Sequence, residues 1–281
     1  MKLLPSLSIS FTAQLKMANL FCKQAQTYAS SRPAYPPEFL RYIASKIPGR
    51  RLAWDVGTGS GQAAASLSSL FDSVVGTDVS AEQLAHAPSH IPNIRFLHTP
   101  PSLPVADLHR LVAPPGSVDL ITVAQALHWL DLPAFYDQAR AMLRPGGVVA
   151  AWCYTGAVID GGNSRADEIY RRVYAASGPY WAEERRMVEE GYASIEFPFG
   201  AVDGEVGTGP VVGFAAEREF TAAKFLEYVR SWSAYQTAKE KGVEILTEEV
   251  VDELERAWGD DDGDDTKKVL FPISLRIGRV L

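Results

Sequence analysis

Cysteine is scarce in this chain: only Cys22 and Cys153 occur among 281 residues. Two thiols cannot build a disulfide framework and lack the spacing of a thiolate metal site, so both read as reduced side chains. Basic charge is also in deficit. Lysine plus arginine total 27 against 34 acidic residues, a formal net charge of −7, which disfavours nucleic acid as a main partner. Long apolar runs are missing too. Charges, glycines and prolines break every stretch well short of the roughly 20 residues a membrane helix needs, so no membrane partner is expected. No acid precedes Glu38, while Lys2, Lys16 and several serines do. Pro5, Ser6, Ser8 and Ser10 interrupt the apolar region that a secretory signal requires. Residues 1–24 therefore read as an extension, either disordered or an organelle transit peptide, with Met17 competing with Met1 as the functional start. A cytoplasmic location is expected in the first case and an organelle in the second.

What is present is an ordinary globular balance, 47% hydrophobic and 22% charged. From Arg51 onward, short apolar runs alternate with longer amphipathic stretches, the pattern of a parallel sheet flanked by helices. Strands are expected at Leu52–Val56, Ser73–Thr77, Ile94–His98, Val118–Ala124 and Val148–Cys153. Helices are expected at Gln62–Phe71, Ala81–Ala87 and Pro133–Leu143, the last stopped by Pro145-Gly146-Gly147. Pro36-Pro37-Glu38 opens a further helix through Ile47. After Cys153 the rhythm changes to a charged, aromatic helical stretch over Asn163–Gly191 and a glycine-rich one over Phe199–Gly213. The sheet pattern resumes at Phe214–Phe220 and closes at Val269–Val280, with a helix expected over Ala222–Lys239. The organisation is thus one domain over residues 25–281, carrying residues 155–213 as an inserted, lid-like region. The acidic run Asp260–Asp265 reads as a solvated loop, because flexible aspartates without a defined loop geometry rarely organise calcium.

The sharpest feature is Asp55-Val56-Gly57-Thr58-Gly59-Ser60-Gly61, a glycine turn directly after the first strand and directly before a helix. Glycines there let the backbone approach a ligand closely. The dinucleotide fingerprint has the spacing G-x-G-x-x-G, whereas here it is G-x-G-x-G, Gln62 stands where a glycine would be, and an acid precedes the turn. That acid would repel phosphates and suit a ligand bearing an ammonium and a sulfonium, which describes S-adenosylmethionine. Asp78 ends the second strand, where a carboxylate accepts from both ribose hydroxyls or caps the helix beginning at Ser80.

With these residues the chain resembles the class I S-adenosylmethionine-dependent methyltransferases, in motif content and order from about Ala25 to Tyr154. It is more closely similar to the trans-aconitate methyltransferase-like, type 11 group. That likeness rests on Tyr28-Ala29-Ser30-Ser31-Arg32-Pro33-Ala34-Tyr35, on Val118 through Ala124-Gln125-Ala126-Leu127-His128-Trp129, and on Leu143-Arg144-Pro145-Gly146-Gly147. The resemblance implies a Rossmann-like α/β fold: a seven-stranded, mostly parallel sheet with helices on both faces, its last strand antiparallel and a helical insertion after strand five. It further implies that Asp55, Gly57, Gly59 and Gly61 surround the methionine part of the cofactor. Asp78 and Val79 would hold ribose and adenine, and Gln125 would lie beside the methionine end. Thr99-Pro100-Pro101-Ser102-Leu103 departs from the family by lacking an acid for the adenine amino group. Arg32 has two readings, a partner for the cofactor carboxylate or an ordinary surface arginine.

Methyl transfer from a sulfonium needs mainly positioning and exclusion of water. A carboxylate acceptor requires no base, whereas an alcohol or phenol benefits from one. His128, near the carboxyl end of the fourth strand, is the candidate catalytic base, with a pocket-shaping or substrate-binding role as its alternative. Tyr154, Tyr180, Trp181, Trp232 and Tyr235, with Arg230, are candidates for a substrate pocket or for plain core. No acidic cluster suits magnesium, so no metal is expected. The activity implied by the resemblance is methyl transfer to a small molecule, a carboxylic acid above a hydroxyl or other nucleophile. A protein that binds the cofactor without turnover is the remaining alternative.

Overall fold

The computed structural model describes residues 34–259 and 265–281. Residues 1–24, Arg32 and most of the Asp260–Asp265 run lie outside them. In chain order the elements that matter to the site are α1 (Pro37–Ser45), β1 (Leu52–Val56), α2 (Gln62–Leu67), β2 (Ser73–Asp78), α3 (Ala81–Leu84) and β3 (Ile94–His98). Then come α4 (Val105–Leu111), β4 (Val118–Ala124), a 3-10 turn (Leu127–Trp129), α5 (Leu132–Met142), β5 (Leu143–Tyr154) and β6 (Val158–Ile159). The carboxyl-terminal part holds α6 (Arg165–Ser177), α7 (Arg185–Glu189), β7 (Val211–Phe220), α8 (Ala222–Arg230), α9 (Ser233–Glu240), α10 (Glu248–Trp258) and β8 (Lys267–Arg279).

The sheet runs β3-β2-β1-β4-β5-β8, with β6 and β7 both paired to β8. The first five strands are mutually parallel, and β8 is antiparallel to β5 and to β7. Eight strands stand where seven were expected, and the register explains the extra one. Tyr154 pairs with Ile273 and Val158 with Leu270, so four residues on one side match three on the other. β6 is therefore β5 resumed after a one-residue bulge, on the same edge of β8.

Strand residues alternate between two cores, as the period of two demands. Along β5, Val148, Ala150, Trp152 and Tyr154 face one core, and Val149, Ala151 and Cys153 the other. The first core takes Phe39, Leu40 and Ile43 of α1 and Ala63, Ala64 and Leu67 of α2; the second takes Phe135, Ala139 and Met142 of α5.

Helix starts follow local chemistry. Pro37 opens α1 with Glu38 in its first turn, and the Ser80 and Asp131 side chains accept from the amides of Gln83 and Ala134 to begin α3 and α5. Two differences from the sequence reading stand out. The helix expected over Ala222–Lys239 breaks into α8 and α9 at Ser231-Trp232, where buried Trp232 fixes the bend. Helices α4 and α10 were not anticipated. Among the described residues, no helix is long and apolar enough to cross a membrane, and no cluster of His, Cys, Asp and Glu could hold a metal.

Candidate active site

A cavity of about 390 Å³ opens at the carboxyl ends of the parallel strands, where open α/β sheets bind ligands. Its floor is the turn Gly57–Gly59, its sides are Asp78-Val79-Ser80 and Ala124-Gln125-Ala126, and Tyr35, Trp129 and Tyr154 add aromatic surface. The loop Thr99–Leu103 closes another side, with Gln138 Nε2 donating to the Leu103 carbonyl at 2.7 Å.

The glycine turn depends on left-handed backbone. Gly57, Gly59 and Gly61 have φ of 65°, 56° and 80°, a region that costs an L-residue about 1–2 kcal/mol. Gly57 is constrained twice, because a Cβ there would lie 2.7 Å from that of Ala126. Gly61 lies outside the wall and works at the junction with α2, where a Cβ would meet Phe96 at 2.8 Å.

Asp55 also stands away from the cavity. It is wholly buried; Thr58 Oγ1 donates to its Oδ2 and Thr122 Oγ1 to its Oδ1, each at 2.6 Å. Burial raises its pKa to about 6, against the pull of both hydroxyls. The carboxylate expected against an ammonium is thus committed inward, pinning the glycine turn to β4.

Asp78 does face the cavity. Its Oδ2 accepts the Gly59 amide at 2.7 Å and its Oδ1 the Ser80 amide at 2.8 Å. Burial pushes its carboxyl above the ordinary range, and these amides oppose the shift. Each oxygen keeps lone-pair capacity for another donor. Gln125, at φ 58°, bridges back to β5: its Oε1 accepts the Tyr154 amide at 2.9 Å and its Nε2 donates to the Tyr154 carbonyl at 3.2 Å.

Two cavity residues escaped the sequence reading. Gln62 Nε2 and Gln83 Oε1 are buried without hydrogen-bond partners, one a donor and one an acceptor, and both residues line the cavity. Buried polar atoms are rarely left unpaired. A zwitterionic amino-acid group beside the glycine turn would satisfy both. The only signal available beforehand was their position, Gln62 directly after the glycine turn and Gln83 five residues after Asp78.

His128 is brought elsewhere. It is buried behind the wall that Ala126 and Trp129 form, with its Nδ1 2.8 Å from the Tyr192 hydroxyl. Burial drives its pKa down to about 3, helped by the Arg185 guanidinium. Of the aromatic candidates, only Tyr154 reaches the cavity. Trp181 and Trp232 belong to a ring cluster with Tyr174, Tyr180 packs against that same core, and the Tyr235 hydroxyl donates to Glu244. Arg230 is exposed.

The family model for the methyltransferase domain, type 11, matches residues 54–151. A methyltransferase of Dictyostelium discoideum is 30% identical over 268 residues, covering 94% of this chain and 96% of its own length. The structure of a type II methyltransferase from Anaeromyxobacter dehalogenans superposes with a TM-score of 0.74 at 33% identity, covering 89% of this chain and 98% of that one. An S-adenosylmethionine-dependent methyltransferase of Saccharomyces cerevisiae is 31% identical over 134 residues, 45% of this chain and 44% of the yeast protein.

Proposed function

The chain belongs to the class I S-adenosylmethionine-dependent methyltransferases, and from that premise we propose that it methylates a small carboxylic acid presented as its carboxylate. The cofactor is S-adenosylmethionine, which supplies a methyl group already activated on a sulfonium.

In this reading the Asp78 carboxylate, preset by the Gly59 and Ser80 amides, accepts from the ribose hydroxyls. The Gly57–Gly59 turn, Gln62 and Gln83 hold the amino-acid end, and Gln125, Trp129 and Tyr154 border the place where the acceptor is received. Their work is to align two reactants and keep water out, which is where most of the rate gain of such a displacement originates.

The position of His128 carries the choice of acceptor. The one histidine that the motif offered as a base is neutral, engaged with Tyr192 and set behind the wall. An acceptor that is ionised at neutral pH needs no proton removed, and a carboxylate meets that condition.

The test is incubation with methyl-labelled S-adenosylmethionine and a panel of small mono-, di- and tricarboxylic acids, set against matched alcohols, phenols and amines. Label recovered as a base-labile methyl ester is the expected result. Transfer confined to hydroxyl or amine acceptors would overturn the proposal.

A further inference from the structure

Behind the cavity wall lies a buried connection that the acceptor reading does not use. Tyr192 is completely buried and has φ 61°, a left-handed backbone that is a genuine outlier for a bulky side chain. Such strain persists only where the surroundings over-determine it. Here β8 does so. Arg276 donates through one guanidinium nitrogen to the Tyr192 and Ile195 carbonyls at 2.7 and 2.8 Å, and Ser274 Oγ donates to the Gly191 carbonyl at 2.7 Å. The Tyr192 amide donates to the Met187 carbonyl at 2.8 Å.

What this anchoring fixes is the place of one hydroxyl. The Tyr192 oxygen lies 2.8 Å from Nδ1 of His128, the middle residue of the 3-10 turn Leu127–Trp129. The turn so held is continuous with the residues that reach the cavity, Gln125 and Ala126 before it and Trp129 at its end. Gln125, which leads into the turn, is left-handed as well.

We propose that Tyr192 is a positioning residue for methyl transfer: its hydroxyl, anchored to β8 and gripping the 127–129 turn, sets where Gln125 and Trp129 stand in the cavity. This rests on the methyltransferase reading of the cavity. It gives the Tyr192–His128 pair a structural task, distinct from proton transfer.

The experiment is calorimetric titration with S-adenosylhomocysteine. If the parent protein fails to bind, the reading of the cavity fails. If it binds, Tyr192→Phe, which removes only the hydroxyl, is expected to weaken binding at least fivefold. His128→Ala should do likewise, while His128→Asn, whose amide can hydrogen-bond the Tyr192 hydroxyl from near the position of Nδ1, should stay within twofold of the parent. A folded Tyr192→Phe protein that binds as the parent does overturns the proposal. Should Tyr192→Phe not fold, the two His128 variants decide: folded His128→Ala that binds as the parent does would overturn it.

Discussion

The carboxylate of Asp78 takes the backbone amide of Gly59 at 2.7 Å, tying the end of β2 to the turn that follows β1. The two motifs that stand apart in the sequence thus form one wall of the cavity, and each holds the other in the geometry a ligand meets.

Removing that carboxylate should therefore cost affinity twice, through lost contacts to the ligand and through a loosened glycine turn. Asp78→Ala is expected to weaken S-adenosylhomocysteine by about 1–3 kcal/mol, roughly 5- to 150-fold. Calorimetry on the folded variant measures this directly. Unchanged affinity would remove Asp78 from the ribose site.

The glycines differ in what they tolerate. At Gly59 the nearest atom to an added Cβ is Gln83 Oε1 at 3.9 Å, so Gly59→Ala meets only left-handed strain, about 1–2 kcal/mol. Gly57→Ala adds a 2.7 Å clash with Ala126 and should lose about 1–3 kcal/mol more through overpacking. Urea denaturation of both variants gives the order, and Gly59→Ala emerging as the weaker protein would contradict it.

The fold was largely legible because burial imposes a pattern on residue types. Ser73–Asp78 and Val118–Ala124 are buried nearly end to end and read as apolar runs. α10 was legible too: Thr247 caps it, Glu248 and Glu249 fill its first turn, and Val250, Val251, Leu254, Ala257 and Trp258 recur at helical spacing on its core face. The site was legible as a set of residue types but not as directions. Asp55 and Asp78 occupy similar places at the ends of neighbouring strands, yet one carboxylate turns inward to two threonines and the other turns to the cavity. One of those threonines, Thr58, is local to Asp55, but the other, Thr122, comes from a neighbouring strand 67 residues along. The same holds for His128, whose orientation is set by Tyr192, 64 residues further along.

Asp55 leaves a signature in the pH dependence of stability. Its pKa is about 6 in the folded protein, against an ordinary aspartate value of 3.8. Between those values the folded state binds more protons, so the contribution of this group is fully present below about pH 4 and is lost as pH rises through 6. The loss amounts to about 2–3 kcal/mol. Asp55→Asn cannot titrate. The stability of the parent relative to Asp55→Asn should therefore fall between pH 4.5 and 7.5, read from paired urea unfolding curves; a constant difference would mean that the carboxyl titrates normally.

His128 shifts in the opposite sense. Its folded pKa is about 3 and its ordinary value 6.5, so in that window the unfolded chain binds the proton and stability falls with decreasing pH. From pH 7.5 to pH 5 the parent should lose about 2 kcal/mol relative to His128→Asn, a comparison in which Asp55 cancels because both proteins retain it. The same shift governs catalysis. An imidazole that stays neutral down to about pH 3 contributes no limb to the profile of kcat/KM between pH 5 and 8. Measured with whichever acid is methylated, the profile of His128→Asn should keep the parent's shape even where its magnitude changes. A limb with a pKa of 6 to 7 that is present in the parent and absent in His128→Asn would make His128 the base after all, and would turn the choice of acceptor from a carboxylate towards a hydroxyl.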